Sequence, residues 1–274
     1  MRERIRAKIS KAVRCGRYGY PAFPSILKRL QREGLPVEQA LRHIVADSNC
    51  TLNDRARAAR LLQEILGDPA AFVPLLRELA AGGDAHVEDL TDAIVRMWHT
   101  NKLPRPAFEV LRDVMNRGTL EQRFWVVDKI ALFEDPRVRR ALLEVLDDSN
   151  APATVRGNAA NGLSRQISRE TVQACMKAVS DPQAEVRFWA AFALGEAAVW
   201  NPFYRDTVIP VLERMLDDQA VAPGWWSVGR EAQLRLAHAR GSAAELHRLR
   251  EEMEAIRNNP SASAEDKGWA AFNQ

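Results

Sequence analysis

The sequence predicts an all-α protein whose helices pair and pile in single file, an α-solenoid. Three observations carry this expectation. From residue 36 onward nearly every segment reads as a helix of about 12 to 18 residues, and no stretch alternates convincingly with period two. The segments are separated by breaks such as Gly67-Asp68-Pro69, Gly82-Gly83-Asp84, Asp135-Pro136, Asp147-Asp148-Ser149-Asn150, Asp181-Pro182 and Gly241-Ser242. A nine-residue pattern also recurs six times at intervals typical of repeat architectures.

Taken in order, residues 1–35 form a basic N-terminal helical cap. Ten Lys or Arg stand against two Glu in the first 33 residues, a balance of +8, which leaves −5 for the rest of a chain whose net charge is +3. Ile5, Ile9 and Val13 mark one apolar stripe on that cap. Arg2, Arg4, Arg6, Lys8 and Lys11 are the candidate anion-binding residues, because a basic block of this kind suits an anionic partner.

Residues 36–240 form the repeat body. The windows Asp54–Leu62, Asp89–Met97, Gln122–Ile130, Val155–Leu163, Val186–Leu194 and Val228–Leu236 start at 54, 89, 122, 155, 186 and 228, so successive starts differ by 35, 33, 33, 31 and 42. Their fifth position is small or β-branched in each copy (Ala58, Ala93, Val126, Ala159, Ala190, Ala232), and their ninth is large and aliphatic (Leu62, Met97, Ile130, Leu163, Leu194, Leu236). A helix crossed closely by a neighbour needs small residues at the crossing and bulk one turn later, which gives both columns a packing reason. An amphipathic helix precedes each window, as in Val138–Leu146, Val172–Val179 and Val208–Leu216, so the unit is a helix pair. Residues 241–274 form a C-terminal helical cap, with Leu246, Leu249, Met253 and Ile256 at helical spacing and a further short helix around Trp269.

Asp181-Pro182, then Val186-Arg187, then Ala190-Ala191-Phe192-Ala193-Leu194-Gly195, resembles the second helix of a HEAT repeat. Pro152, Val155-Arg156, Ala159-Ala160 and Leu163 repeat the pattern, with Asn161-Gly162 in place of the Ala pair. The arginine of the second column is missing at Leu90 and Gly229. The resemblance, which covers about residues 36–240, implies a right-handed solenoid of about six pairs whose second helices line a concave binding surface. Columns three, four and seven would face that surface, and they carry Arg60, Phe124, Trp125, Asp128, Phe188, Trp189 and Phe192, the candidate partner-binding residues. Aromatic rings and arginine at a solvent-facing strip suit an apolar peptide or helix better than a phosphate backbone. The alternative for the same rings is that they fill gaps between adjacent second helices.

The function this implies is non-catalytic: a scaffold or adaptor that recognises a protein or peptide partner. The alternative reading is a nucleic-acid-binding protein, with or without DNA glycosylase-like base excision, because some DNA glycosylases build HEAT-like repeats with tryptophans and an aspartate on the concave face. Trp125 and Asp128 would be the residues to compare. The five histidines, His43, His86, His99, His238 and His247, show no metal-ligand spacing, and no phosphate-cradling glycine motif follows a strand, so no catalytic residue, metal or cofactor is expected. Cys175 lies on an apolar stripe and reads as a buried thiol, while Gln219–Trp226 is a long apolar connection that either caps the core or builds part of a binding surface. No run of about 18 uncharged apolar residues occurs, the N-terminus lacks an apolar signal, and Cys15, Cys50 and Cys175 suggest no disulfide framework. The expected location is the cytoplasm.

Overall fold

The computed structural model describes residues 31, 32, 34, 36–100 and 102–272. The basic segment with Arg2, Arg4, Arg6, Lys8 and Lys11, and also Cys15, lies outside the described residues. Fourteen α-helices are present among the described residues, with no strand beyond one isolated bridge between Val221 and Ser227. The chain divides into two compact units at Phe133 and Glu134.

The first unit holds three pairs: α1 (Val37–Ala46) with α2 (Leu52–Leu66), α3 (Val73–Ala81) with α4 (Val87–Trp98), and α5 (Arg105–Arg117) with α6 (Leu120–Ile130). The second holds α7 (Pro136–Asp147) with α8 (Ala153–Leu163), α9 (Arg169–Ala178) with α10 (Ala184–Trp200), and α11 (Arg205–Arg214) with α12 (Val228–Arg240). It closes with α13 (Ala243–Asn258) and α14 (Ala264–Phe272), which pack on each other. Within each unit the second helices stack in chain order, α2 on α4 on α6 and α8 on α10 on α12. Each pair thus hides its apolar side against the next.

Local chemistry sets the helix ends. Thr51 Oγ1 accepts from the Asp54 amide, Thr119 forms a reciprocal capping box with Gln122, and Ser168 and Ser242 accept from amides three residues on. Asp135 accepts from the Arg137 amide at 2.8 Å while Pro136 occupies the first helical position, as the Asp-Pro pattern predicts. At Asp181-Pro182 the helix starts later, at Ala184, because Asp181 forms a turn onto the Gln183 amide instead. Gly67 closes α2 in the left-handed region at φ 68°, where a side chain would be strained.

All six windows lie in second helices, and their fifth and ninth columns form the inter-helix core: every fifth-column residue is fully buried and no ninth-column residue exceeds 4% exposure. Three of the four second-column arginines tie a pair to the next, while Arg123 donates to the Met115 carbonyl within its own pair. Arg55 on α2 donates to both Glu78 oxygens on α3 and to the Val45 carbonyl. Arg156 on α8 pairs with Asp181, and Arg187 on α10 reaches both oxygens of Asp218 at 2.7 and 3.1 Å. Hydrogen bonding to Arg55 holds the Glu78 carboxyl below its ordinary range. For Asp218, burial raises the carboxyl, and the bonds from Arg187 and the Ala220 amide outweigh it.

The last copy replaces this arginine by glycine for a steric reason. Gly229 donates to the Asp218 carbonyl at 2.8 Å, and a Cβ there would stand 2.4 Å from the Leu216 carbonyl oxygen. The turn before α12 therefore presses backbone against backbone, and no side chain fits. The terminal cap buries Leu249, Met253 and Trp269, and Arg230 on α12 stacks 5.0 Å from the Trp269 ring centre while pairing with Asp266.

Candidate functional site

Among the described residues, aromatic and charged side chains cluster on α10 and the connection after α11. Helix α10 is the longest among the described residues at 17 residues, because its run of Ala, Leu, Glu and aromatic residues meets no proline before Asn201-Pro202. Positions 188, 192, 196 and 200 recur every fourth residue and therefore share one face.

At the base of that face Phe188 and Trp189 meet the connection. Ring centres of Trp189 and Trp225 are 5.0 Å apart at 81°, and Phe188 lies 5.5 Å from Trp226 and 5.8 Å from Trp225. The connection holds this pose through a turn at Gly224 with φ 78°, an Ala222 amide bond to the Trp226 carbonyl, and the Val221–Ser227 bridge. Phe188 is 1% exposed and Trp189 8%. The expectation that these two rings line an open groove is thereby corrected: they are core, because the Gln219–Trp226 connection folds over them and offers two indoles as cover. Of the aromatic strip on this helix, Phe192 stays half-exposed, as does Trp225.

Above the rings runs a ladder of charge. Trp226 Nε1 donates to Glu231, whose other oxygen accepts from Arg235 Nε at 2.6 Å; Arg235 also donates to Glu196 at 2.8 Å, and Glu196 accepts from Trp200 Nε1 at 3.0 Å. The Arg235 guanidinium covers the Phe192 ring at 4.2 Å. Gly195 makes this possible, since a Cβ there would meet Arg235 Cβ at 2.5 Å. The ladder ends in the open: Trp200 is 74% exposed and Phe203 83%, with Val199 beside them. Neither Trp200 nor Phe203 was singled out from the sequence. The signal available was an apolar helix that continues past its repeat window into Trp200-Asn201-Pro202-Phe203.

In the first unit the expected residues fall into local contacts. Phe124 and Trp125 form an edge-to-face pair at 5.2 Å, Trp125 Nε1 donates to Glu121, and Lys129 lies over the Trp125 ring while pairing with Asp128 at 2.7 Å. Arg60 pairs with Glu64 one turn along α2. Arg60, Phe124, Trp125 and Asp128 are all half-buried. Arg60 and Lys129 thus pair with carboxylates of this chain, while Arg123 donates to the Met115 carbonyl.

Among the described residues no group of three or more His, Cys, Asp or Glu could hold a metal ion, and no helix is long and apolar enough to cross a membrane. Cys175 is fully buried, which pushes its thiol up to about 12. Glu185, at the start of α10, is 9% exposed and has no hydrogen-bond or ion-pair partner among the described residues; burial raises its carboxyl above the ordinary range.

Stacked helix pairs with buried crossing columns and inter-pair arginine bridges define an α-helical repeat protein. Within that class, residues 140–223 match the family model of HEAT repeats, from inside α7 to the connection before α12. HEAT repeats are in general protein-interaction modules without enzymatic activity, and the match covers about a third of this chain. No curated protein matches the chain.

Proposed function

We propose that the protein is a non-catalytic adaptor or scaffold, acting in the cytoplasm, that recognises a protein partner through the outward face of α10. The observation that carries this reading is the aromatic pair Trp200 and Phe203, 74% and 83% exposed at the head of a rigid hydrogen-bonded ladder. Large exposed rings held by a fixed scaffold are the kind of anchor that dominates protein interfaces, because they bury much apolar area at small entropic cost. Phe192 and Trp225 are proposed as further contact residues of the second unit, and Phe124, Trp125, Asp128 and Arg60 as a separate contact patch on the first. The buried free thiol of Cys175 is consistent with a reducing compartment.

The test is affinity capture with the intact chain followed by reconstitution with each purified captured protein. Trp200→Ala with Phe203→Ala should leave the melting temperature within about 2 °C, since exposed side chains contribute little to stability, and lower the partner's affinity at least tenfold. Unchanged affinity for every reconstituted partner would overturn the reading. The nucleic-acid alternative predicts a mobility shift with steep salt dependence, lost when Arg2, Arg4, Arg6, Lys8 and Lys11 are neutralised.

A further inference from the structure

A polar cavity of about 390 Å³ lies in the second unit among the end of α11, the start of α12 and the first turns of α13. None of the exposed rings lines it. Its polar lining includes Ser227, Arg230, Gln233, Arg240, Glu245 and Arg248, with Leu236 and Leu249 as apolar wall.

Three of these side chains carry hydrogen-bonding groups that the chain leaves unused. Ser227 is the N-cap of α12, where a hydroxyl ordinarily accepts from an amide of the first turn. It makes no such bond and has no other side-chain partner among the described residues, although the residue is only 7% exposed and lines the cavity. Placing a hydroxyl there without a partner costs stability, so its presence calls for a group that the cavity would hold. Gln233 and Arg248 likewise have no side-chain partner among the described residues.

The lining is also positive. Three guanidiniums stand against the Glu245 carboxylate, because Asp266 and Glu213, which pair with Arg230 and Arg240, lie outside the lining. Arg240 also reaches Glu245 at 3.3 Å, and Arg230 gives only Nη1 to Asp266. The N-terminus of α12, at Ser227, adds its partial positive charge.

The donors restrict the ligand. Arg248 offers a planar fork, and Ser227 and Gln233 add a hydroxyl and an amide. A carboxylate presents two oxygens, which the fork alone would occupy, whereas a phosphate group presents three and a second negative charge.

We infer that this cavity is a binding site for a dianionic phosphate group, with Arg248 as the bidentate contact, Ser227 and Gln233 as neutral donors, and Arg230 and Arg240 as a fixed positive field. The site goes beyond the docking face of α10 and does not depend on it. A free phosphate compound and a phosphorylated side chain of a protein partner present the same group, and the experiment separates them.

Titration calorimetry on the full chain, in a buffer without competing anions, uses inorganic phosphate, acetyl-phosphoserine-amide, acetyl-glutamate-amide and dimethyl phosphate. Inorganic phosphate should bind saturably and raise the melting temperature. Arg248→Gln should weaken it about tenfold and Ser227→Ala about fivefold, as expected for a charged and a neutral hydrogen bond. Neither substitution removes a side-chain contact among the described residues, so without ligand both variants should melt as the parent does. Glu245→Gln should tighten binding, since it removes the carboxylate of the lining. A phosphoserine probe that binds more tightly than inorganic phosphate assigns the site to a phosphorylated partner, and one that binds equally or more weakly assigns it to a free phosphate compound. The inference is overturned by an absence of saturable binding, or by binding that Arg248→Gln or Ser227→Ala leaves untouched. It is equally overturned if Glu245→Gln binds phosphate no more tightly, or if the glutamate probe or dimethyl phosphate binds as tightly as phosphate.

Discussion

Replacing Arg156 by Ala should destabilise the second unit more than any removal of an exposed charge. The Arg156 side chain is 9% exposed and Asp181 12%. Its guanidinium gives two nitrogens to the two Asp181 oxygens, and its Nε donates to the Ala151 carbonyl at 3.2 Å. Removing one partner of a buried pair costs about 3–5 kcal/mol, because the other charge stays desolvated. Asp181 retains its bond from the Gln183 amide, which places the expectation near the lower end, about 3 kcal/mol. At about 2–4 °C per kcal/mol for a domain of this size, the melting transition falls by roughly 6–12 °C. Near-ultraviolet circular dichroism follows the Trp225–Trp226 cluster and so reports on this unit, and urea titration gives the free energy. The control is Lys177→Ala, since the Lys177–Asp147 pair is 77% and 67% exposed and should change stability by under about 0.5 kcal/mol. A loss below about 1 kcal/mol for Arg156→Ala, or an equal loss for both variants, would refute the view that the second-column arginine bolts one pair to the next.

Other variants probe the same packing and charge. Gly195→Ala should cost about 1–3 kcal/mol in a urea titration, because the new methyl meets the root of the Arg235 side chain, which cannot swing away without moving α12. Glu185→Gln should change how stability depends on pH. The folded carboxyl is raised above its ordinary value, so as pH increases the unfolded chain gives up its proton first and stability falls across that window. The glutamine variant should melt higher than the parent at neutral pH and converge with it in acid, where Glu185 is protonated. A parent and variant that stay parallel from acid to neutral pH would contradict the assignment.

The paired organisation was legible because packing constrains sequence at fixed spacing. Ala58, Ala93, Val126, Ala159, Ala190 and Ala232 must be small where helices cross, and Leu62 to Leu236 must be bulky one turn later, so the pattern survives in the linear order. The arginines of the second column were legible as a motif, but not their partners. Asp181 and Asp218 stand 25 and 31 residues beyond the arginines they bind, and nothing local marks them. The missing arginine at Gly229 could be noted in the sequence, and its cause, a carbonyl 2.4 Å from where a Cβ would stand, could not.

The amino-acid order alone thus determined which segments are helices and which helices pair, since periodicity and small-residue columns are one-dimensional records of burial. Only the tertiary structure decided which rings are covered and which are free. Phe188 and Phe192 occupy equivalent turns of one helix face, and the connection through Trp225 and Trp226, more than thirty residues downstream, buries the first and leaves the second half-exposed. Among the described residues the same folding leaves Glu185 without a cation and Trp200 74% exposed, because exposure depends on what returns from a distance, and helical spacing holds no information about that.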